Sequence, residues 1–142
     1  MADPTSRGLL LRRAIAADLA AAGIGVYRPD GPNYVNPERG IRTDGPNLPT
    51  TFDNCIVLTS LPTISDGRAD IIDRVQIYGR VKGNSIAAEN LEHAIWDRYD
   101  QKPYLFPAFG NSWTWRFSML QFEPDTQGRS AFAATYYFRN RR

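Results

Sequence analysis

Apolar positions recur at helical spacing in two segments of the chain and alternate at strand spacing in several others. Leu11, Ile15, Leu19 and Ala22 share one face of a helix predicted over residues 4–22. Asp3 can cap it, Pro4 suits its first turn, and Gly23 can end it in a left-handed conformation. Arg12 and Asp18 flank the apolar stripe, and Arg13 lies opposite. A second amphipathic helix is predicted over residues 85–99, with Ser85 or Asn84 as its cap. Ala87, Ala88, Leu91, Ala94, Ile95 and Tyr99 fall on its inner face, and Glu89, Glu92, His93 and Asp97 fall away from it. Trp96 lands with the polar set and should be partly exposed. Arg98, near the apolar side, should snorkel off the helix end.

Strand patterns fill most of the remainder. Residues 24–28 read as a short strand. Residues 54–60 are almost continuously apolar, as in a strand buried on both faces. A turn built on Pro62, Asp66 and Gly67 is expected over residues 61–69. Residues 70–80 alternate, with Val75 and Ile77 toward the core. In residues 113–123, Trp113, Trp115, Phe117 and Met119 alternate with Thr114, Arg116, Ser118 and Leu120. In residues 129–139, Phe132, Ala134, Tyr136 and Phe138 alternate with Ala131, Ala133, Thr135 and Tyr137. The short link at residues 124–128 makes these two a hairpin. Its aromatics alternate as core residues do, and that reading is preferred to base stacking.

Residues 29–53 break the pattern, with five prolines and three glycines. Long irregular loops inside a domain are usually functional. Tyr34, Val35, Arg39, Ile41, Arg42 and Phe52 make this one more than solvated spacer. Tyr34-Val35 and residues 40–43 could form the arms of a small hairpin, confined to a sheet edge by the prolines. The expected fold is α+β: a mostly antiparallel or mixed sheet, two helices on one face, and a long Pro-rich loop. The chain is expected to be a single domain over residues 1–142, with residues 29–53 an extended contact loop and residues 139–142 a basic C-terminal tail. No internal repeat or low-complexity tract is visible.

Composition narrows the chemistry. One Cys excludes an internal disulfide, and Cys55 within an apolar run reads as a buried small hydrophobe. Gly23-Ile-Gly25 follows a helix and opens a strand, the reverse of a dinucleotide-binding loop. The pairs Asp70/Asp73 and Asp97/Asp100 sit beside Arg74 and Arg98 and read as solvated charge. A metal-dependent nuclease would place an acid two residues before a strand lysine, but Arg80 precedes Lys82. His93, beside Glu92 and one turn from Glu89, lacks a further ligand nearby in sequence and reads as a surface histidine. No serine stands in a nucleophile-elbow context. No catalytic residue, metal site or cofactor is therefore expected. No segment is long and apolar enough for a membrane helix, and no signal-peptide pattern opens the chain, so cytosolic synthesis without export is expected.

Charge shifts the picture modestly. The net charge is only +2, but fifteen of the seventeen basic residues are arginine. Arginine suits interfaces, because its planar fork pairs two ways and is weakly hydrated; a GC-rich coding genome accounts for the bias equally well. Arg139, Arg141 and Arg142 leave nucleic-acid binding open, although the hairpin lacks the strand signature of an RNA-recognition sheet.

The leading Ala-rich helix, the Pro-rich loop, the strand Arg74-Val-Gln-Ile-Tyr-Gly-Arg80, the helix Ala87-Ala-Glu-Asn-Leu-Glu-His-Ala-Ile95 and a final Arg/Tyr/Phe-rich strand together resemble the tail terminator (tail completion) proteins of long-tailed bacteriophages. The resemblance spans nearly the whole chain and is one of length, element order and local texture. It implies a homo-oligomeric ring, commonly a hexamer, in the virion tail or neck, assembled in the host cytoplasm. Such a ring caps the tail tube, stops its polymerisation and offers a surface to the head–tail connector proteins, while DNA passes through the lumen without specific binding. A different neck or head-completion connector and a small nucleic-acid-binding domain are the competing readings. Expected interface residues are Tyr34, Arg39, Arg42, Phe52, Trp96, Arg139, Arg141 and Arg142. The loop and the outer side of the second helix are the candidate subunit contacts.

Overall fold

The computed structural model describes residues 5–65 and 67–142. The chain runs α1 (Arg7–Ala21), β1 (Gly40–Arg42), β2 (Cys55–Ser65), β3 (Asp70–Lys82), α2 (Ser85–Tyr99), a 3₁₀ turn (Pro107–Phe109), β4 (Trp113–Phe122) and β5 (Arg129–Arg141). The strands form one mixed sheet in the order β1-β2-β3-β5-β4, in which β1 pairs parallel to β2 and every other pairing is antiparallel. The expected α+β fold is the observed one.

Both helices lie on the same face. Leu11, Ile15 and Leu19 of α1 and Leu91, Ile95 and Tyr99 of α2 share one core with Leu58, Val75, Ile77, Phe132, Tyr136 and Phe138 of the sheet. Gly79 permits the closest approach: a Cβ there would lie 2.5 Å from the Phe132 ring and 3.0 Å from Leu91. The second helix has the predicted bounds, with the Asn84 side chain accepting from the amides of Ile86 and Ala87. The first helix starts at Arg7 and is capped by Ser6, whose hydroxyl accepts from the Leu9 amide. The expected cap Asp3 with Pro4, and Asp66 of the expected turn, lie outside the described residues.

Several local expectations are corrected. Residues 61–65 are not a turn, because β2 continues through Pro62 to Ser65. Pro62 is tolerated where the register shifts between Leu61 and Ile64, so its missing N–H interrupts no regular ladder. Tyr34-Val35 is not a hairpin arm. Residues 24–28 contribute only the single bridge of Val26 to Gly40, which covers the outer edge of β1. On α2, Ala94 is exposed and Glu92 is buried, because Arg116 reaches over from β4 to pair with it. Residues 139–141 are no free tail: they end β5, where Arg141 pairs with Asp70.

Candidate interaction surface

The helices cover one face of the sheet, and the strand registers define what the other face presents. Ile77 pairs with Ala134 and Val75 with Tyr136, so odd-numbered β3 residues and even-numbered β5 residues face the helices. Arg74, Gln76 and Tyr78 of β3 and Thr135, Tyr137 and Arg139 of β5 therefore face away. On β4, Trp113 pairs with Arg139 and Trp115 with Tyr137, which puts both tryptophans on this open face. A bulge at Phe117 then shifts the alternation. Phe117 stays on the open face, stacked flat on Tyr137 at 4.5 Å, and Leu120 and Phe122 follow it there.

The result is a ladder of rings and guanidinium groups. Trp115 packs on Tyr137 at 5.5 Å, and Phe122 on Tyr78 at 6.1 Å. The Arg74 guanidinium lies 5.9 Å over Tyr137, and that of Arg139 lies 5.9 Å over Trp115. Arg74 also donates to the Pro62 carbonyl, but among the described residues neither arginine has a carboxylate partner. Phe117 is 62% exposed and Leu120 60%. Reading the hairpin aromatics as core is thus corrected for β4, whose outer half is exposed on both faces, whereas Phe132, Ala134, Tyr136 and Phe138 of β5 are buried as expected. β4 is also an edge strand; Lys102 bridges Thr114 and the Asp100 carboxylate accepts from the Arg116 amide, so its free side is open to pairing only beyond Arg116.

The residues expected at an interface do not form one patch. Tyr34, Arg39, Arg42 and Phe52 gather around the β1 edge, where residues 29–53 fold against their own sheet. Arg80, almost wholly buried, donates to the carbonyls of Pro49, Phe52 and Asp53 at 2.7–2.9 Å. The Tyr34 ring packs flat on Gly40, where a Cβ would lie 2.5 Å away, and its hydroxyl donates to the Ile41 carbonyl and accepts from the Arg28 amide. Phe52 is buried with Cys55 and Val57. Burial raises the Cys55 thiol to about 11. Arg28 clamps Glu38, and its hydrogen bonds, with the Val35 amide, lower that carboxyl to about 2. Arg39 is half-buried, its guanidinium donating to the Ile24 carbonyl, and desolvation lowers its pKa.

Trp96 lies on the helical side, half-buried, stacked on His93 and approached by the Arg116 guanidinium. Arg141 is exposed, and Arg142 is tied to Ser65 and the Arg68 carbonyl. Of the expected residues, only Arg139 lies on the ring ladder. Arg74, Trp115, Phe117, Leu120, Phe122 and Tyr137 were not expected at an interface. Their signal lies in the parity of β5 and the composition of β4. The Tyr137 row also carries Arg139, which a core row rarely does, and both rows of the outer half of β4 hold large apolar residues.

Among the described residues, no three His, Cys, Asp or Glu side chains gather where a metal could sit, and no helix is long and apolar enough to cross a membrane.

No family model and no curated protein matches the chain. Its fold does match that of a chain in a solved structure of the virion of a native gene transfer agent (GTA) particle. The match has a TM-score of 0.56 at 11% identity and covers 95% of this chain and 92% of that one. The two chains therefore share an architecture over nearly their full lengths.

Proposed function

We propose that this chain is a structural virion protein of phage type, a tail terminator whose copies form a ring on the head-proximal end of the tail tube. The ring stops tube polymerisation and presents the surface that the head connector joins. DNA passes through its lumen without specific binding. The observation that carries this reading is the open face of the sheet. Exposed Phe117, Leu120 and Phe122 beside Arg74 and Arg139, which lack a carboxylate partner among the described residues, form a surface suited to a protein partner. The fold shared with a virion chain and the resemblance in element order support the same class. The test is polymerisation of tail-tube protein with and without this chain, followed by electron microscopy. Tubes should stop growing and carry a ring at one end when the chain is present. Tube lengths unchanged by the chain would overturn the assignment.

A second reading rests on the same face, since rings beside arginines also suit single-stranded nucleic acid. It predicts salt-sensitive oligonucleotide binding that quenches Trp115 fluorescence. The ladder's own geometry disfavours it: Phe117 and Arg74 lie against Tyr137, and Arg139 lies over Trp115, so these ring faces are already in use.

A further inference from the structure

We infer that the open sheet face of one copy receives the outer face of α2 of the next copy, so that the chain assembles head to tail through these two surfaces. This rests on the proposed ring and names the contact that would build it.

The two surfaces lie on opposite sides of the subunit, because α2 packs on the face of the sheet that the ladder does not occupy. They are complementary in charge. The outer stripe of α2 carries Ile86, Glu89, His93, Ala94 and Asp97, all exposed. Among the described residues no cation pairs with Glu89 or Asp97; the nearby Arg98 is engaged by Asp18 at 2.6 Å. The open face offers Arg74 and Arg139, which have no carboxylate partner among the described residues. Arg74 and Arg139 thus offer cations to the carboxylates of α2, while the register also places Asp70 on the sheet face.

The spacing agrees. Ile86 and Asp97 are about 16 Å apart along the helix at 1.5 Å per residue. On the sheet, Leu120 lies roughly 20 Å from the Trp113–Arg139 row at about 3.3 Å per residue. The spans are similar, so Ile86 at one end of the stripe and Asp97 at the other match the apolar and the arginine ends of the sheet face, with Glu89 one turn in from Ile86. Ile86 meets Leu120 and Phe117, while Asp97 reaches Arg139. A contact between two different patches is heterologous, and it closes into a ring when the rotation between copies permits. Pairing of sheet edges is a poorer route to a ring. Residues around Val26 cover the free edge of β1, which leaves β4 no complementary edge on a neighbouring copy.

The test is a pair of charge reversals, R74E/R139E and E89R/D97R, examined by native mass spectrometry and sedimentation, alone and with tail-tube protein. Wild-type chain should form closed assemblies. Each reversal places like charges across the contact and should raise the concentration of half-assembly by roughly tenfold or more. Mixing the two variants restores opposite charges at every contact, so they should co-assemble in alternation. Circular dichroism checks that each variant folds, and the milder R74Q/R139Q replaces the sheet-side reversal if it does not. The inference is overturned if both reversals assemble like wild type, if mixing restores nothing, or if wild type never self-associates with or without tubes. Rings that persist in R74E/R139E but no longer attach to tubes would assign the open face to the tube instead. Loss of strong oligonucleotide binding with assembly intact would assign it to nucleic acid. The tube-length assay stands apart: a ring built through these faces that leaves tube growth unchanged refutes the terminator reading and keeps this contact.

Discussion

Replacing Arg80 by methionine should release residues 29–53 and destabilise the chain. Arg80 is 4% exposed, and its guanidinium donates three hydrogen bonds, to the carbonyls of Asp53 at 2.8 Å, Pro49 at 2.7 Å and Phe52 at 2.9 Å. Hydrogen bonds to a charged group contribute about 1.5–3 kcal/mol each, and an unpaired buried carbonyl costs about 1–3 kcal/mol. Methionine keeps most of the apolar stem, and a released loop lets some carbonyls find water, so the full sum will not be lost. A destabilisation of about 3–5 kcal/mol is expected. For a chain of this size that corresponds to a fall in Tm of roughly 10–20 °C. Thermal unfolding gives the magnitude, and hydrogen exchange locates it. The amides of Arg28, Ile41 and Asp53, bonded to the Tyr34 hydroxyl, the Val26 carbonyl and Asn36, should lose protection before those of α2. A change below about 1 kcal/mol with these amides still protected would refute the idea that Arg80 holds the loop.

Other expectations follow from the same packing. Burial is the largest single influence on the Asp18 carboxyl and would raise its pKa, but the hydrogen bonds from Arg98 and Tyr99, with the Arg98 charge, together lower it below 3.8. The stability from this group is thus fully present above pH 3.8 and lost as pH falls through the lower folded value; in an acid titration D18N should remove that part of the decline. G79A forces a methyl to within 2.5 Å of Phe132 and should destabilise the chain by about 1–3 kcal/mol in denaturant unfolding, with neutrality counting against the close packing of α2. F117S/L120S should change stability by no more than about 1 kcal/mol yet weaken self-association in sedimentation, because both side chains are exposed in the single copy.

How much of this was readable before the structure depends on how local each signal is. The bounds and cap of the second helix were legible, since its cap, its period and its end all lie within residues 84–100. β3 and the inward row of β5 were legible because strict alternation marks a half-buried strand. Residues 40–43 were legible as a candidate edge strand, but the pairing of β1 was not, because its parallel partner Cys55–Val57 lies across an irregular loop. Glu92 was misplaced because its partner Arg116 is distant in sequence and belongs to another element. β4 was misread for a different reason. Alternation tells which residues share a face but not which face the helices cover, and the bulge at Phe117 changes the parity midway. The candidate surface was therefore the least legible part, although Arg139 beside Tyr137 already carried its trace.

In the proposed assembly, copies of this chain close into a ring on the end of a tail tube, through the open sheet face. A three-dimensional reconstruction of a tube capped by this protein tests it most directly. A closed ring is expected, in which every ladder from Arg74 to Phe117 is covered by α2 of the neighbouring copy. A capped tube whose bound copies stand apart, with that face turned to solvent, would contradict it.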